Sequence, residues 1–125
     1  MEIRFTEQET QGIFLDALYN GLGSLADYGL ILELDDKNYA QAKKNCDVGS
    51  SYEDVLLQIL KDGNTLTLID EEDEDDVNTI DSQVLYDRLP SVPLNYLVDV
   101  INGHDDASTA DAILQTVFFN EIIYR

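Results

Sequence analysis

Residues 51–80, with the sequence SYEDVLLQILKDGNTLTLIDEEDEDDVNTI, decide the fold class. The first half predicts a helix, because Ser51 and Asp54 form a capping signal and apolar residues then recur at the spacing of one buried helix face. Residues 65–69 form a short segment rich in β-branched residues, which predicts a strand, and residues 77–80 are its predicted hairpin partner. The acids between these two strands repel one another, so we expect them to extend into solvent. This stretch therefore predicts an α+β fold.

Outside this stretch, the hydrophobic pattern is mainly helical. A capping box at residues 6–9 begins the first helix, in which Gly21 and Gly23 are predicted stops. Further helices are predicted over 36–45, 82–89, 93–102 and 106–124, and short strands over 1–5 and 30–34. The helix over 93–102 places four apolar residues on one face: Leu94, Leu97, Val98 and Ile101. We predict a mainly helical single domain over residues 1–125, with about five helices and a short β-hairpin carrying an acidic tip.

The charge of the chain limits the classes of partner. The 125 residues include 26 Asp and Glu against 7 Lys and Arg, so the formal net charge is −19. Such a charge excludes general electrostatic attraction to nucleic acid or to an anionic membrane surface. We therefore predict a basic protein surface as the partner, with no direct contact to nucleic acid and no membrane contact. The single cysteine excludes an intramolecular disulfide, and this absence is typical of a cytoplasmic protein.

The sequence offers little for enzymatic chemistry. Catalytic triads, Cys-His pairs and zinc sites need His or Cys in a defined constellation, and this chain has one of each, His104 and Cys46. His104 lies in a predicted loop, and Cys46 lies near a predicted helix end. We predict a protein that is not an enzyme, with no catalytic residues and no cofactor. A hydrolytic protein that uses carboxylates alone stays an alternative, because Asp and Glu suffice for some active sites.

The acidic run can be aligned with the calcium loop of an EF-hand. Position 6 of that loop, where the sharp turn requires glycine, is Asp75, and position 12 is the short Asp81. We predict no dedicated metal site. The candidate ligands for weak binding of Ca²⁺ or Mg²⁺ are Asp70, Glu72, Glu74 and Asp76.

The acidity has three competing interpretations: mimicry of DNA, a cation site, and solubility with helix capping. A DNA mimic needs rows of acids along exposed helix faces, whereas the acids inside the predicted helices are mostly isolated. Many acids instead fall at or near predicted helix starts, where they cap free amides. These are Glu7, Glu9, Asp35, Asp36, Glu53, Asp54, Asp81, Asp105 and Asp106.

We favour a protein-interaction module, a small acidic protein that binds a basic surface of another macromolecule. The alternatives are a DNA-mimic inhibitor of a nucleic-acid-binding protein and a weak divalent-cation-binding or carboxylate-based hydrolytic protein. In size, acidity and lack of catalytic constellations, the chain is similar in general character to accessory proteins of phages and mobile elements.

The predicted partner-binding residues form two groups. The acidic run supplies long-range attraction, and the C-terminal segment supplies apolar anchors. We expect the C-terminal side chains to widen the apolar face of the last helix, so that two copies form a homodimer there. The residues are Asp70, Glu71, Glu72, Asp73, Glu74, Asp75 and Asp76 in the first group, and Phe119, Ile123 and Tyr124 in the second.

Overall fold

The computed structural model describes residues 3–104 and 106–124 and confirms the predicted α+β class. Within those residues it has six α-helices: α1 (Glu7–Asp27), α2 (Asp36–Asn45), α3 (Tyr52–Lys61), α4 (Ser82–Arg88), α5 (Leu94–Ile101) and α6 (Ala107–Phe119). A 3-10 helix, Leu89–Ser91, follows α4. The strands are β1 (Leu30–Glu33), β2 (Leu66–Asp70) and β3 (Asp73–Ile80), and they form one antiparallel sheet in the order β1-β2-β3.

The sheet packs one of its faces against the helices. Leu66, Leu68 and Ile80 are buried on that face, because alternate residues of a strand point to the same side. The strand predicted over 30–34 is confirmed as β1. The strand predicted over 1–5 is wrong for residues 3–5, and residues 1 and 2 lie outside the described residues. Ile3 and Phe5 pack against the core without forming a strand.

Helix α1 continues through both glycines that were predicted to stop it. Gly21 is buried where α1 crosses α6, and a Cβ atom there would lie 2.9 Å from Leu114 Cδ1 and 3.1 Å from the carbonyl carbon of Ala110. The glycine therefore allows two helices to approach closely. The chain leaves α1 at Tyr28 and Gly29, where φ of +82° places Gly29 in the left-handed region.

Helices α1 and α6 form the centre of the core. Their fully buried side chains meet those of α3 and of the inner sheet face in one cluster, whose largest members include Phe14, Leu18, Leu56, Leu66 and Phe118. The sequence pattern of α3 is confirmed, with Val55, Leu56, Ile59 and Leu60 buried.

Helix α5 is turned away from the orientation that its apolar pattern predicted. Of the four residues on the predicted apolar face, only Leu97 is buried. The other three are exposed, Leu94 by 61%, Val98 by 42% and Ile101 by 59%. The helix packs mainly on α6, and the half-buried Tyr96 and Val100 complete the side that faces the core.

Helix α6 ends at Phe119, so the helix predicted to reach Tyr124 is five residues too long. Asn120 follows in the left-handed conformation, with φ of 63°, and reverses the chain. We call residues 120–124 the C-terminal tail. Gln115, fully buried in α6, holds this tail: its Oε1 accepts hydrogen bonds from the Ile123 and Tyr124 amides, each at 2.8 Å. The tail thus supplies hydrogen-bond partners to a buried side chain whose carbonyl oxygen would be costly to leave unpaired.

Candidate interaction surface

The acidic residues predicted to bind a partner lie together at one end of the sheet. We call residues 70–76 the acidic hairpin. Its side chains at 71–75 are exposed, and those of Asp70 and Asp76 are half-buried. Only Glu71 and Glu72 form the turn, because β3 begins at Asp73 rather than at Val77 as predicted. The acids therefore flank a tight turn on two paired strands instead of forming a long solvated loop.

Local hydrogen bonds shape the acidic hairpin. Asp70 Oδ1 accepts from the Glu72 amide at 2.9 Å, and Asp73 Oδ1 accepts from the Asp75 amide at 3.1 Å. The register shifts between Ile69 and Asp70, so that the two strands pair irregularly at this end of the sheet. The Glu71 amide donates to the Gly29 carbonyl at 2.9 Å and ties the turn to the start of β1. These hydrogen bonds fix the conformation of the backbone that carries the carboxylates.

A row of apolar side chains crosses the sheet beside these acids. Ile31 of β1 pairs with Ile69 of β2, which in turn pairs with Val77 of β3, and paired residues share a face. Ile31 is 40% exposed and Val77 is 51% exposed. A second row holds Thr67 and Thr79, whose hydroxyls lie 3.0 Å apart. We call this side, opposite the helices, the outer sheet face.

Sequence reasoning missed the outer sheet face, although a signal for it was present. In residues 65–69 the alternation already separates Leu66 and Leu68 from Thr67 and Ile69. Only the register shows that Ile69 stands between Ile31 and Val77.

The three predicted apolar anchors of the C-terminal segment differ in their environment. Phe119 and Tyr124 are partly buried against the core of their own chain, whereas Ile123 is 52% exposed. The ring of Tyr124 stacks on that of Tyr28, with centroids 4.7 Å apart. The structure thus leaves Ile123 accessible and uses the other two side chains internally.

Tyr124 also connects the C-terminal tail to the acidic hairpin. Burial raises the pKa of its phenol, and the negative charges of Asp70 and Asp76 raise it further. The structure therefore brings one predicted anchor close to two of the predicted acids. Tyr28 donates a 2.7 Å hydrogen bond to Asp111, and this bond, followed by burial, raises the pKa of Tyr28 to about 12.

Five of the nine acids predicted at or near helix starts cap a backbone amide there, whereas Glu7, Asp36 and Glu53 lie in first turns without such a bond. Asp35, Asp81 and Asp106 each accept a hydrogen bond from a backbone amide of the first turn. Both predicted capping boxes are present, with Glu9 bonded to the Thr6 amide and Asp54 to the Ser51 amide. Hydrogen bonds from backbone amides lower the pKa values of three of these carboxyls, those of Glu9, Asp54 and Asp106. Asp105 lies outside the described residues.

The described residues bring no metal-binding group together. Within 3–104 and 106–124, no set of three or more His, Cys, Asp or Glu side chains could hold a metal ion. The candidate ligands Asp70, Glu72, Glu74 and Asp76 are distributed over β2, the turn and β3. Cys46 is half-buried, and its thiol points to the Asp54 carbonyl at 3.9 Å. His104 is exposed after α5, in the loop that begins with Asn102.

Over the same residues, none of the helices has both the length and the apolar character needed to cross a bilayer. The acidic hairpin, the outer sheet face and the C-terminal tail are together the candidate interaction surface. No protein-family model matches this chain, and no curated protein or solved structure matches it either.

Proposed function

We propose that this protein binds a basic surface of another protein through the outer sheet face and the acidic hairpin. The observation that carries the proposal is the position of the apolar row Ile31, Ile69 and Val77 beside the exposed acids. A basic partner with apolar residues among its cations complements both parts. The partner class follows from charge, and the place of contact follows from the exposed apolar row.

The negative charge of the acidic hairpin is not balanced by basic residues nearby in the sequence. No Lys or Arg occurs between Lys61 and Arg88. Arg88 itself donates to the carbonyls of Val117 and Phe118, at 2.8 and 3.2 Å, and so serves the C-terminal end of α6. A concentrated negative field of this kind accelerates the approach of a cationic partner.

The two parts of the surface contribute to different steps of binding. Exposed ion pairs contribute about 0–1 kcal/mol each, since both charges are already well solvated. Covering the exposed parts of Ile31 and Val77, at 40% and 51%, contributes about 0.6–1.5 kcal/mol for each side chain. We therefore expect the acids to set the association rate and the apolar row to set the residence time.

Two synthetic peptides of equal length and charge test the proposal. One alternates Lys with Val, and the other alternates Lys with Ser. We expect similar association rates for both peptides and a longer residence time for the Lys-Val peptide, because only that peptide can cover the apolar row. Equal residence times would contradict the role of the row.

Two matched variants distinguish the effect of the acidic hairpin on binding from the effect of the net charge of the chain. The hairpin variant converts the five exposed acids at 71–75 to their amides. The control variant converts five exposed acids elsewhere to amides: Glu7, Asp16, Asp36, Asp47 and Asp87. At low salt we expect the hairpin variant to bind the Lys-Val peptide about tenfold more slowly, and the control variant to bind with a smaller loss. Equal losses would assign the attraction to total charge.

A third variant tests the apolar row directly. Ile31→Thr with Val77→Thr keeps β-branched residues in the strands and removes apolar contact area. We expect faster dissociation of the Lys-Val peptide at an unchanged association rate. An unchanged dissociation rate would show that the peptide binds elsewhere.

We place this activity in the cytoplasm, following the cysteine usage, and an accessory role in a phage or mobile element stays a prediction from composition. DNA mimicry is the second candidate. It receives less support, because five of the acids bind backbone amides at the starts of five different helices instead of forming rows. Asp111, an acid inside α6, accepts hydrogen bonds from Tyr28 and Gln115.

A further inference from the structure

Helix α5 carries an apolar stripe on its solvent side. Leu94, Val98 and Ile101 are exposed by 61%, 42% and 59%. Their spacing of four and three residues aligns them along one line of the helix surface, and the stripe spans about 10 Å. We call these three residues the α5 stripe. The buried Leu97 lies beside it, so the stripe continues directly from the surface that packs on the core.

The charge around the α5 stripe differs from that of the chain as a whole. Residues 89–104 contain a single acid, Asp99, and no Lys or Arg, in a chain of net charge −19. Asn95 and Asn102, both exposed, are neutral neighbours of the stripe. A basic partner would find little charge complementarity here. A second copy of this chain would meet little like charge from α5 itself, and Asp16 of α1 is the acid that lines the neighbouring cleft with Val100.

The arrangement of the helices also separates the α5 stripe from the acidic hairpin. Val100 of α5 shares a small cleft with Ala110 and Ile113 of α6. The C-terminal tail, which adjoins the hairpin acids, bonds instead to Gln115. At about 100° per residue, these two sides of α6 are roughly opposite. A contact through α5 therefore lies on the side of α6 away from the tail and the hairpin acids beside it.

We propose that the α5 stripe is a self-association surface, where two copies of this chain pack their α5 helices antiparallel about a twofold axis. Val98 lies near the middle of the stripe, so it meets its own counterpart, while Leu94 faces Ile101 of the other copy. A surface of this kind is self-complementary, as an isologous dimer requires. Antiparallel packing also opposes the two helix dipoles favourably. The proposal moves the homodimer contact from the C-terminal segment, whose Phe119 and Tyr124 pack internally, to α5.

Sedimentation velocity tests this proposal over concentrations from about 5 µM to about 500 µM. We expect a concentration-dependent dimer that strengthens between about 0.05 M and about 0.5 M NaCl, because salt screens the repulsion between two acidic copies. The double variant Val98→Gln with Ile101→Gln should stay monomeric. Val48→Gln, at a fully exposed loop valine, is the matched control and should dimerise like the parent.

Disulfide capture gives an independent readout. In a Cys46→Ser background, Val98→Cys should form a cross-linked dimer under mild oxidation much faster than Val48→Cys, since only residue 98 meets itself across the axis. A monomer at every concentration and salt level would overturn the proposal. A dimer that survives the α5 substitutions, or equal cross-linking at residues 48 and 98, would overturn it as well. Loss of Lys-Val peptide binding in the double variant, with no dimer in the parent, would assign the stripe to a different partner.

Discussion

Replacing Gly21 with alanine should destabilise the protein, although glycine is unfavourable inside a helix. The added Cβ would lie 2.9 Å from Leu114 Cδ1 and 3.1 Å from both the carbonyl carbon and the Cβ of Ala110. The leucine side chain is fully buried and the Ala110 carbon belongs to the backbone of α6, so neither atom can move easily. Gly23, two residues later in the same helix, is the matched control, because a Cβ atom added there would meet no atom of a neighbouring element within 4 Å.

The expected magnitudes follow from two opposing effects. Gly→Ala inside a helix stabilises by about 0.5–1 kcal/mol, since alanine has less conformational freedom to lose on folding. Forcing an extra methyl group into a packed core costs about 1–3 kcal/mol. Gly23→Ala should therefore gain about 0.5–1 kcal/mol of unfolding free energy, while Gly21→Ala should lose from about 0 to about 2.5 kcal/mol. The difference between the two variants measures the cost of separating α1 from α6.

Urea denaturation followed by circular dichroism measures both unfolding free energies. The dependence on urea should be unchanged, since neither substitution alters the surface exposed on unfolding. A loss of 1 kcal/mol corresponds to a decrease of about 4 °C in Tm for a domain of this size. If Gly21→Ala is as stable as Gly23→Ala, the close approach of α1 and α6 at Gly21 is wrong.

Three further sets of substitutions test the tail, a half-buried phenol and the caps. Gln115→Met keeps the side-chain length but removes four hydrogen bonds. The unfolding free energy should fall by about 2–4 kcal/mol, and the amide hydrogens of the tail should exchange faster with solvent. Unchanged hydrogen exchange would contradict the role of Gln115 in holding the tail. The pKa of Tyr28 is raised from 10.0 to about 12, so its contribution to stability is complete below pH 10 and is lost as the pH rises through 12. Tyr28→Phe should lose less stability over that alkaline range, and equal losses would exclude the hydrogen bond to Asp111 as the cause. The pKa values of three capping carboxyls are lowered, so their contribution to folding stability is present above the ordinary carboxyl range and is lost as the pH falls through the lowered values. Converting these carboxyls to amides should therefore lower the unfolding free energy at neutral pH and leave it unchanged in strong acid. A loss of stability that does not depend on pH would show that the carboxylate charge is not responsible. These caps are Glu9, Asp54 and Asp106.

The sequence alone was sufficient for features that depend on residues close along the chain. Thr6 with Glu9, and Ser51 with Asp54, form capping boxes within three residues, so their chemistry is complete before any tertiary contact exists. The α3 pattern and the position of the acidic hairpin are local in the same sense. Even here the strand boundary was misplaced, since backbone pairing extends β3 to Asp73 through side chains that strand propensities disfavour.

Only the tertiary structure decided which neighbour covers each surface. The spacing of Leu94, Leu97, Val98 and Ile101 shows that they share a helix face, but the packing of α5 on α6 selects Leu97 for burial and leaves the α5 stripe exposed. Gly21 looks like a helix stop until Ala110 and Leu114 occupy the space of its missing side chain. The tail turns back because its amides donate hydrogen bonds to the buried side chain of Gln115. In each case the deciding partner is distant in sequence, so its contribution to the free energy exists only after the chain has folded.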